Sequence, residues 1–184
     1  MSEPIWTNNW ACNHYSSWLK HLGKFTGKEA HALEIGVCEG RSTCFFTQNI
    51  LTHQDSTMTC VDPFLISTEE RFWHNVDALN CRSKITLFKA KSDDVSLEAK
   101  KWDFVYIDGH HDGDALLSYI DRLKPFMHND TLLILDDIRW SNSMLNAWKE
   151  VCNSDSFHVS IDLFRMGIIT PRSQQTKQHF VFRY

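Results

Sequence analysis

The sequence predicts an α/β fold organised around a mostly parallel sheet, and three observations lead there. Apolar runs of about five residues recur along the chain, which is the length of a buried strand. Segments with helical periodicity lie between them, so strand and helix alternate. Polar residues follow each run while the runs themselves are apolar. In open α/β sheets ligands bind outside the carboxyl ends of the strands, so this pattern also says where function should sit.

The elements follow in order. Trp18, Leu19 and Leu22 share one helical face, which predicts a helix over residues 12–21 inside an N-terminal helical cap segment, residues 1–28. A turn at 23–27 leads to five strand-like runs: His31–Ile35, Thr57–Val61, Ile85–Phe88, Phe104–Ile107 and Thr131–Leu135. Helices are expected over 43–51, 114–123 and 142–151. Residues 158–163, 166–169 and 179–183 read as closing strands, with 171–177 as an exposed connection. Glu69-Glu70-Arg71 reads as a mobile lid.

At 184 residues the chain can bury about 70% of its unfolded surface, so one domain over 1–184 is expected. A net charge of −4 gives no basic field for a phosphate backbone, and no nucleic-acid partner is expected. No apolar run approaches a membrane span, and the first residues do not read as a signal peptide. The six cysteines include no C-x-x-C pair and read as reduced thiols, so a cytoplasmic location is expected.

The strand ends supply the candidate site. Strand one leads into Glu34-Ile-Gly36-Val-Cys38-Glu-Gly40, where glycines permit close approach of backbone to a ligand, and Arg41-Ser42-Thr43 opens a helix whose N-terminus suits an anion. Strand two ends in Asp62, suited to a ribose diol. Strand three is followed by Ser92-Asp93-Asp94, suited to an adenine edge. Strand four ends in Asp108-Gly109-His110-His111 and strand five in Asp136-Asp137. The glycine loop lacks the G-x-G-x-x-G form, which disfavours a dinucleotide dehydrogenase, and no Walker loop occurs.

The form E-x-G-x-x-x-G with an acid closing strand two resembles the S-adenosylmethionine site of class I methyltransferases. Residues 33–42, 60–64, 104–111 and 133–137 appear in that family's order and spacing, and the D-G-x-H end of strand four resembles a small-molecule or sugar O-methyltransferase subgroup. The resemblance implies a Rossmann-like fold with a seven-stranded, mostly parallel sheet and helices on both faces. It implies that Glu34 orders the glycine loop or meets the cofactor's amino group, and that Gly36, Cys38 and Gly40 let backbone approach the methionine part. It places Asp62 on the ribose and Ser92 near the adenine, with Ser42 and Asp108 in the same cofactor set. Two departures stand out. Cys38 replaces a frequent glycine, and His128-Asn129-Asp130 stands where a Pro-Gly-Gly surface turn is common.

In the strand order usual for this fold, strands four and five are neighbours. Asp108, Asp136 and Asp137 would then crowd together and call for a cation. Hard oxygen donors suit Mg²⁺ or another divalent ion, which would acidify a substrate hydroxyl. His111, or alternatively His110, would serve as general base. The expected function is metal-assisted O-methylation of a hydroxyl on a sugar, glycan or other small molecule. Rivals are a metal-independent N- or O-methyltransferase, a non-catalytic S-adenosylmethionine-binding module and a dehydrogenase using NAD. A homodimer is a common outcome for such enzymes.

Overall fold

A computed structural model of the chain describes residues 2–96 and 100–183. It divides into two compact units, the first ending at Val95 and the second beginning at Ser96.

The first unit carries α1 (Tyr15–Leu22), β1 (His31–Ile35), α2 (Arg41–Asn49), β2 (Thr57–Val61), α3 (Glu69–Ala78) and β3 (Ile85–Phe88). β1 pairs with β2 and β2 with β3, both parallel. The order β3-β2-β1 follows from α2 and α3 acting as crossovers, since parallel neighbours cannot be joined by a tight turn. Ala32, Leu33, Met58 and Cys60 are buried, as is Phe46 of α2. The predicted N-terminal helix is split into a 3-10 turn at Trp10–His14 and α1, and α1 buries Trp18 and Leu22. The helical cap begins only there. Ahead of it, Ile5 exchanges two backbone bonds with the Asn75 side chain, at 2.6 and 2.9 Å.

Residues 69–71, expected as a lid, are helical. They open α3, whose first turn carries Glu69 and Glu70 where the helix dipole favours acids. Arg71 pairs with the buried carboxylate of Glu39.

The second unit carries β4 (Trp102–Ile107), α4 (Gly113–Leu123), β5 (Met127–Leu135), α5 (Asn142–Asn153), β6 (Val159–Asp162), β7 (Gly167–Thr170) and β8 (Gln178–Val181). β4 and β5 are parallel. β7 is antiparallel to both β5 and β6, and β8 lies parallel to β6. The described strands therefore number eight, not seven, because residues 178–181 form a strand of their own beyond β6. β5 starts four residues earlier than its apolar run. His128, Asn129 and Asp130 are strand residues at a register irregularity, not a surface turn. The Asn129 carbonyl accepts bonds from Thr170 Oγ1 and Arg172 N at 3.1 Å each.

Asp162 ties this unit's last elements together. It takes a two-pronged ion pair from Arg139, and bonds from the Phe164 amide, the Trp148 indole and Arg183. Burial pushes its pKa up, but these donors, Arg139 first, hold it at about 2. Among the described residues no helix is long and apolar enough to cross a membrane, and all six cysteines are free.

α4 and α5 pack together because Gly113 has no side chain. A Cβ there would lie 2.5 Å from the Ser143 carbonyl oxygen. Gly113→Ala is expected to destabilise the fold by about 1–3 kcal/mol through overpacking. Urea unfolding checks this, and an unchanged midpoint would show that the two helices can part at little cost.

Candidate functional site

The loop between β1 and α2 continues the ladder one step, with the Gly36 amide donating to the Val61 carbonyl at 2.9 Å. It then turns through three left-handed residues, with φ of +86° at Gly36, +49° at Cys38 and +81° at Gly40. Cys38 thus occupies a conformation that glycine adopts at lower cost. At Gly40 the missing Cβ matters in another way, since it would lie 2.8 Å from the Phe72 ring. Gly40 is also the N-cap of α2, and no side chain caps that end, which leaves it the character of an anion site.

Asp62 holds this loop. Its Oδ2 accepts the Val37 and Cys38 amides at 2.8 and 3.0 Å, and its Oδ1 accepts the Phe64 amide at 2.6 Å. A carboxylate offers about four acceptor positions. Three are filled by backbone, and Oδ1 retains one suited to a hydroxyl.

Glu34 is fully buried and accepts the hydroxyls of Ser42 and Thr43, the latter at 2.5 Å. Both of its oxygens therefore pin the first turn of α2 to β1. Burial raises its pKa to about 7, against the opposing effect of those two donors.

Glu39 is the acid that the sequence reading passed over. It is 3% exposed, and accepts both the amide and the hydroxyl of Thr7, at 2.9 and 2.5 Å, as well as Arg71. Burial alone would raise its pKa, yet these donors hold it below the ordinary glutamate value. Arg41 adds a 2.6 Å bond to the Asn8 carbonyl. Ser92 opens a 3-10 turn directly after the Lys91 that follows β3.

The remaining candidates lie on the second unit. Ile107 and Leu135 are register partners, and the Asp136 amide donates to the Ile107 carbonyl at 2.9 Å. Asp108 and Asp136 are therefore the next residues along two paired strands. The Tyr106 hydroxyl joins them: it lies 2.5 Å from Asp136 Oδ2 and 3.4 Å from Asp108 Oδ2. One hydroxyl has one proton, which the shorter bond takes. Asp136 Oδ1 accepts the Asp137 amide at 2.9 Å. Neither acid caps α5, whose N-cap is Ser141.

Residues His110 and His111 have φ of +47° and +21°, and the His111 ring stacks on Trp140 at 4.8 Å. Tyr106 could have been read from the sequence, since residues two apart on a strand share a face. Trp140 carries no such signal.

Among the described residues no group of three His, Cys, Asp or Glu is arranged to hold a metal ion. Each Asp136 oxygen accepts one protein hydrogen bond, which leaves one acceptor position on each. The expected Mg²⁺ triad of Asp108, Asp136 and Asp137 is not presented as a ready donor set.

A left-handed glycine loop between the first strand and helix, closed by an acid at the end of the second strand, defines the Rossmann-like class I methyltransferase fold. Residues 33–138 match a family model described as "Methyltransferase domain", more than half of the chain, and the chain belongs to that family. It is accordingly an S-adenosylmethionine-dependent methyltransferase. The comparison with curated proteins finds no match. Among solved structures, the fold is similar to that of cofactor-bound Rv0187 from MTB, with TM-score 0.74 at 13% identity over 92% of this chain and 84% of the other. It is similar to an O-methyltransferase from Bacillus cereus in complex with SAH, with TM-score 0.68 at 12% identity over 89% and 82%. The O-methyltransferase TomG from Streptomyces achromogenes, in complex with SAM, gives TM-score 0.71 at 10% identity over 89% and 81%.

Glu34 makes a pH test possible. With its pKa raised from 4.5 to about 7, the folded chain binds more protons than the unfolded chain between those values. Stability is therefore lost as pH rises through that window. The melting temperature of Glu34→Gln, relative to the wild type, should rise as pH goes from about 5 to about 7.5, by the equivalent of up to about 3 kcal/mol. A pH-independent difference would show that Glu34 does not titrate in this range.

Proposed function

We propose that the chain transfers the methyl group of S-adenosylmethionine to a hydroxyl of a sugar, glycan or other small molecule. The observation that carries this reading is the Asp62 carboxylate, which holds the Val37 and Cys38 amides and keeps one acceptor position on Oδ1. Two of the neighbours above, by their descriptions O-methyltransferases with SAH or SAM bound, support the acceptor atom.

In this reading Oδ1 of Asp62 takes a ribose hydroxyl, the left-handed loop lets backbone approach the methionine part, and the uncapped start of α2 faces its carboxylate. Glu34 positions that helix through Ser42 and Thr43. Ser92 serves the adenine. When bound, S-adenosylmethionine supplies an electrophilic methyl on a cationic sulfur. The chain's own work is orientation and proton removal. His111 is proposed to take the acceptor's hydroxyl proton, with His110 as the alternative. The acceptor oxygen then forms the new bond to carbon as the bond to sulfur breaks, releasing the sulfur as a neutral thioether. Asp108 and Asp136, joined through Tyr106, are proposed to orient the hydroxyl. A divalent cation, if held by Asp108, Asp136 and Asp137, would acidify that hydroxyl; no step is routed through it, and the metal-independent form is the alternative. A single functional domain, a cytoplasmic location, no nucleic-acid partner and a possible homodimer complete the proposal.

Thermal unfolding tests it. S-adenosylhomocysteine at about 100 times its Kd should raise Tm by roughly 5–11 °C, and NADH should not. A shift with NADH alone would replace this reading with a dehydrogenase. A further Mg²⁺-dependent rise, lost in Asp108→Asn or Asp136→Asn, would support the metal-assisted form. In an assay with an accepted substrate, His111→Ala should lower kcat by about 10²–10⁴.

A further inference from the structure

Trp140 is 66% exposed, on the loop that runs from the end of β5 to the start of α5. Side chains of this size usually bury most of their surface. Its position is nevertheless fixed. The Trp140 amide donates to the Asp137 carbonyl at 2.8 Å, and its ring lies against the His111 imidazole at 4.8 Å, with 29° between the planes. One face of the indole is thereby engaged, and most of the rest meets solvent.

Two more observations fall on the same few residues. His111 Nδ1 is buried with no hydrogen-bond partner, although buried polar atoms are almost always satisfied. His110 and His111 are both held at positive φ, where side-chain-bearing residues are strained and where such strain clusters at ligand sites. An uncovered aromatic ring, an unpaired ring nitrogen and a strained turn thus coincide around residues 110–111 and 140.

We propose that Trp140 recognises the methyl acceptor, as a platform for the flat face of a six-membered ring that carries hydroxyls on its rim. This rests on the O-methyltransfer reading above. An indole face carries negative charge density and attracts the positively polarised C–H groups of a pyranose face or the edge of an aryl ring. The hydroxyls at the rim of such a ring are then left to the polar groups of the loop, His111 among them. A rigid ring already stacked on His111 needs little further ordering when the ligand arrives. A single indole is also too small for the contiguous apolar patch of a protein-docking surface. A sugar and a catechol share the recognised chemistry, and the experiment separates them.

Protein labelled with 5-fluorotryptophan contains seven labelled positions, and Trp140→Phe assigns the relevant ¹⁹F resonance. It is titrated, with saturating S-adenosylhomocysteine present, against methyl β-D-glucopyranoside and separately against catechol. The Trp140 resonance is expected to move with one of the two, and that arm names the acceptor type. Trp140→Ala should weaken that probe about tenfold, or about 1.4 kcal/mol, while Trp140→Phe stays within about threefold because it keeps an aromatic face. Affinity for S-adenosylhomocysteine should be unchanged in both variants. A Trp140 resonance that stays still with both probes, while S-adenosylhomocysteine binds, overturns this inference and leaves the proposed function standing. Failure of the wild type to bind S-adenosylhomocysteine overturns the proposed function and this inference with it.

Discussion

One carboxylate organises the first unit. Asp62 stands at the end of β2 and gathers the Val37 and Cys38 amides onto one oxygen and the Phe64 amide onto the other. Without it, two amide groups of a left-handed turn would lose their acceptor, and each such loss costs about 1–3 kcal/mol when the group is buried. Cys38 sits at φ +49°, a strained conformation that persists only while its surroundings hold it. The loop keeps its shape because an ionised acceptor binds amides more strongly than a neutral one. In the proposed function, cofactor recognition depends on that shape.

Two further buried acids brace the same loop from either side. Glu34 fastens α2 to β1 through Ser42 and Thr43. Glu39 fastens the extended residues around Thr7, together with Arg71 of α3. The two acids meet their burial differently. Glu39 faces a guanidinium and two donors from Thr7, so its charge is favoured. Glu34 faces hydroxyls only, and burial dominates. The second unit handles its acids in a third way, with the Tyr106 hydroxyl set between two strand-end carboxylates.

Much of this was legible in the sequence because strand cores are apolar and strand ends are not. β1, β2 and β3 match the apolar runs residue for residue. Gly36, Gly40 and Asp62 could be picked out because their positions relative to the runs carry the chemistry. What escaped reading depends on long-range partners. β5 begins at Met127 and runs through the polar residues His128–Asp130 because Thr131 Oγ1 and the Asn129 carbonyl find partners far along the chain. α3 was hidden because its buried Asn75 is justified only by Ile5 and Glu39. Glu39 reads as a surface acid until Thr7 and Arg71 are brought to it. Strand periodicity places Tyr106 on the same face as Asp108, but its bond to Asp136 joins two strands and depends on their register.

In the proposed function Asp62 both shapes the loop after β1 and touches the cofactor. Calorimetric titration of S-adenosylhomocysteine into Asp62→Asn and Asp62→Ala tests this most directly. The account predicts a Kd raised at least about tenfold in Asp62→Asn, or about 1.4 kcal/mol, and a larger loss in Asp62→Ala, with both variants still folded by circular dichroism. Wild-type affinity in a folded Asp62→Ala variant would contradict it.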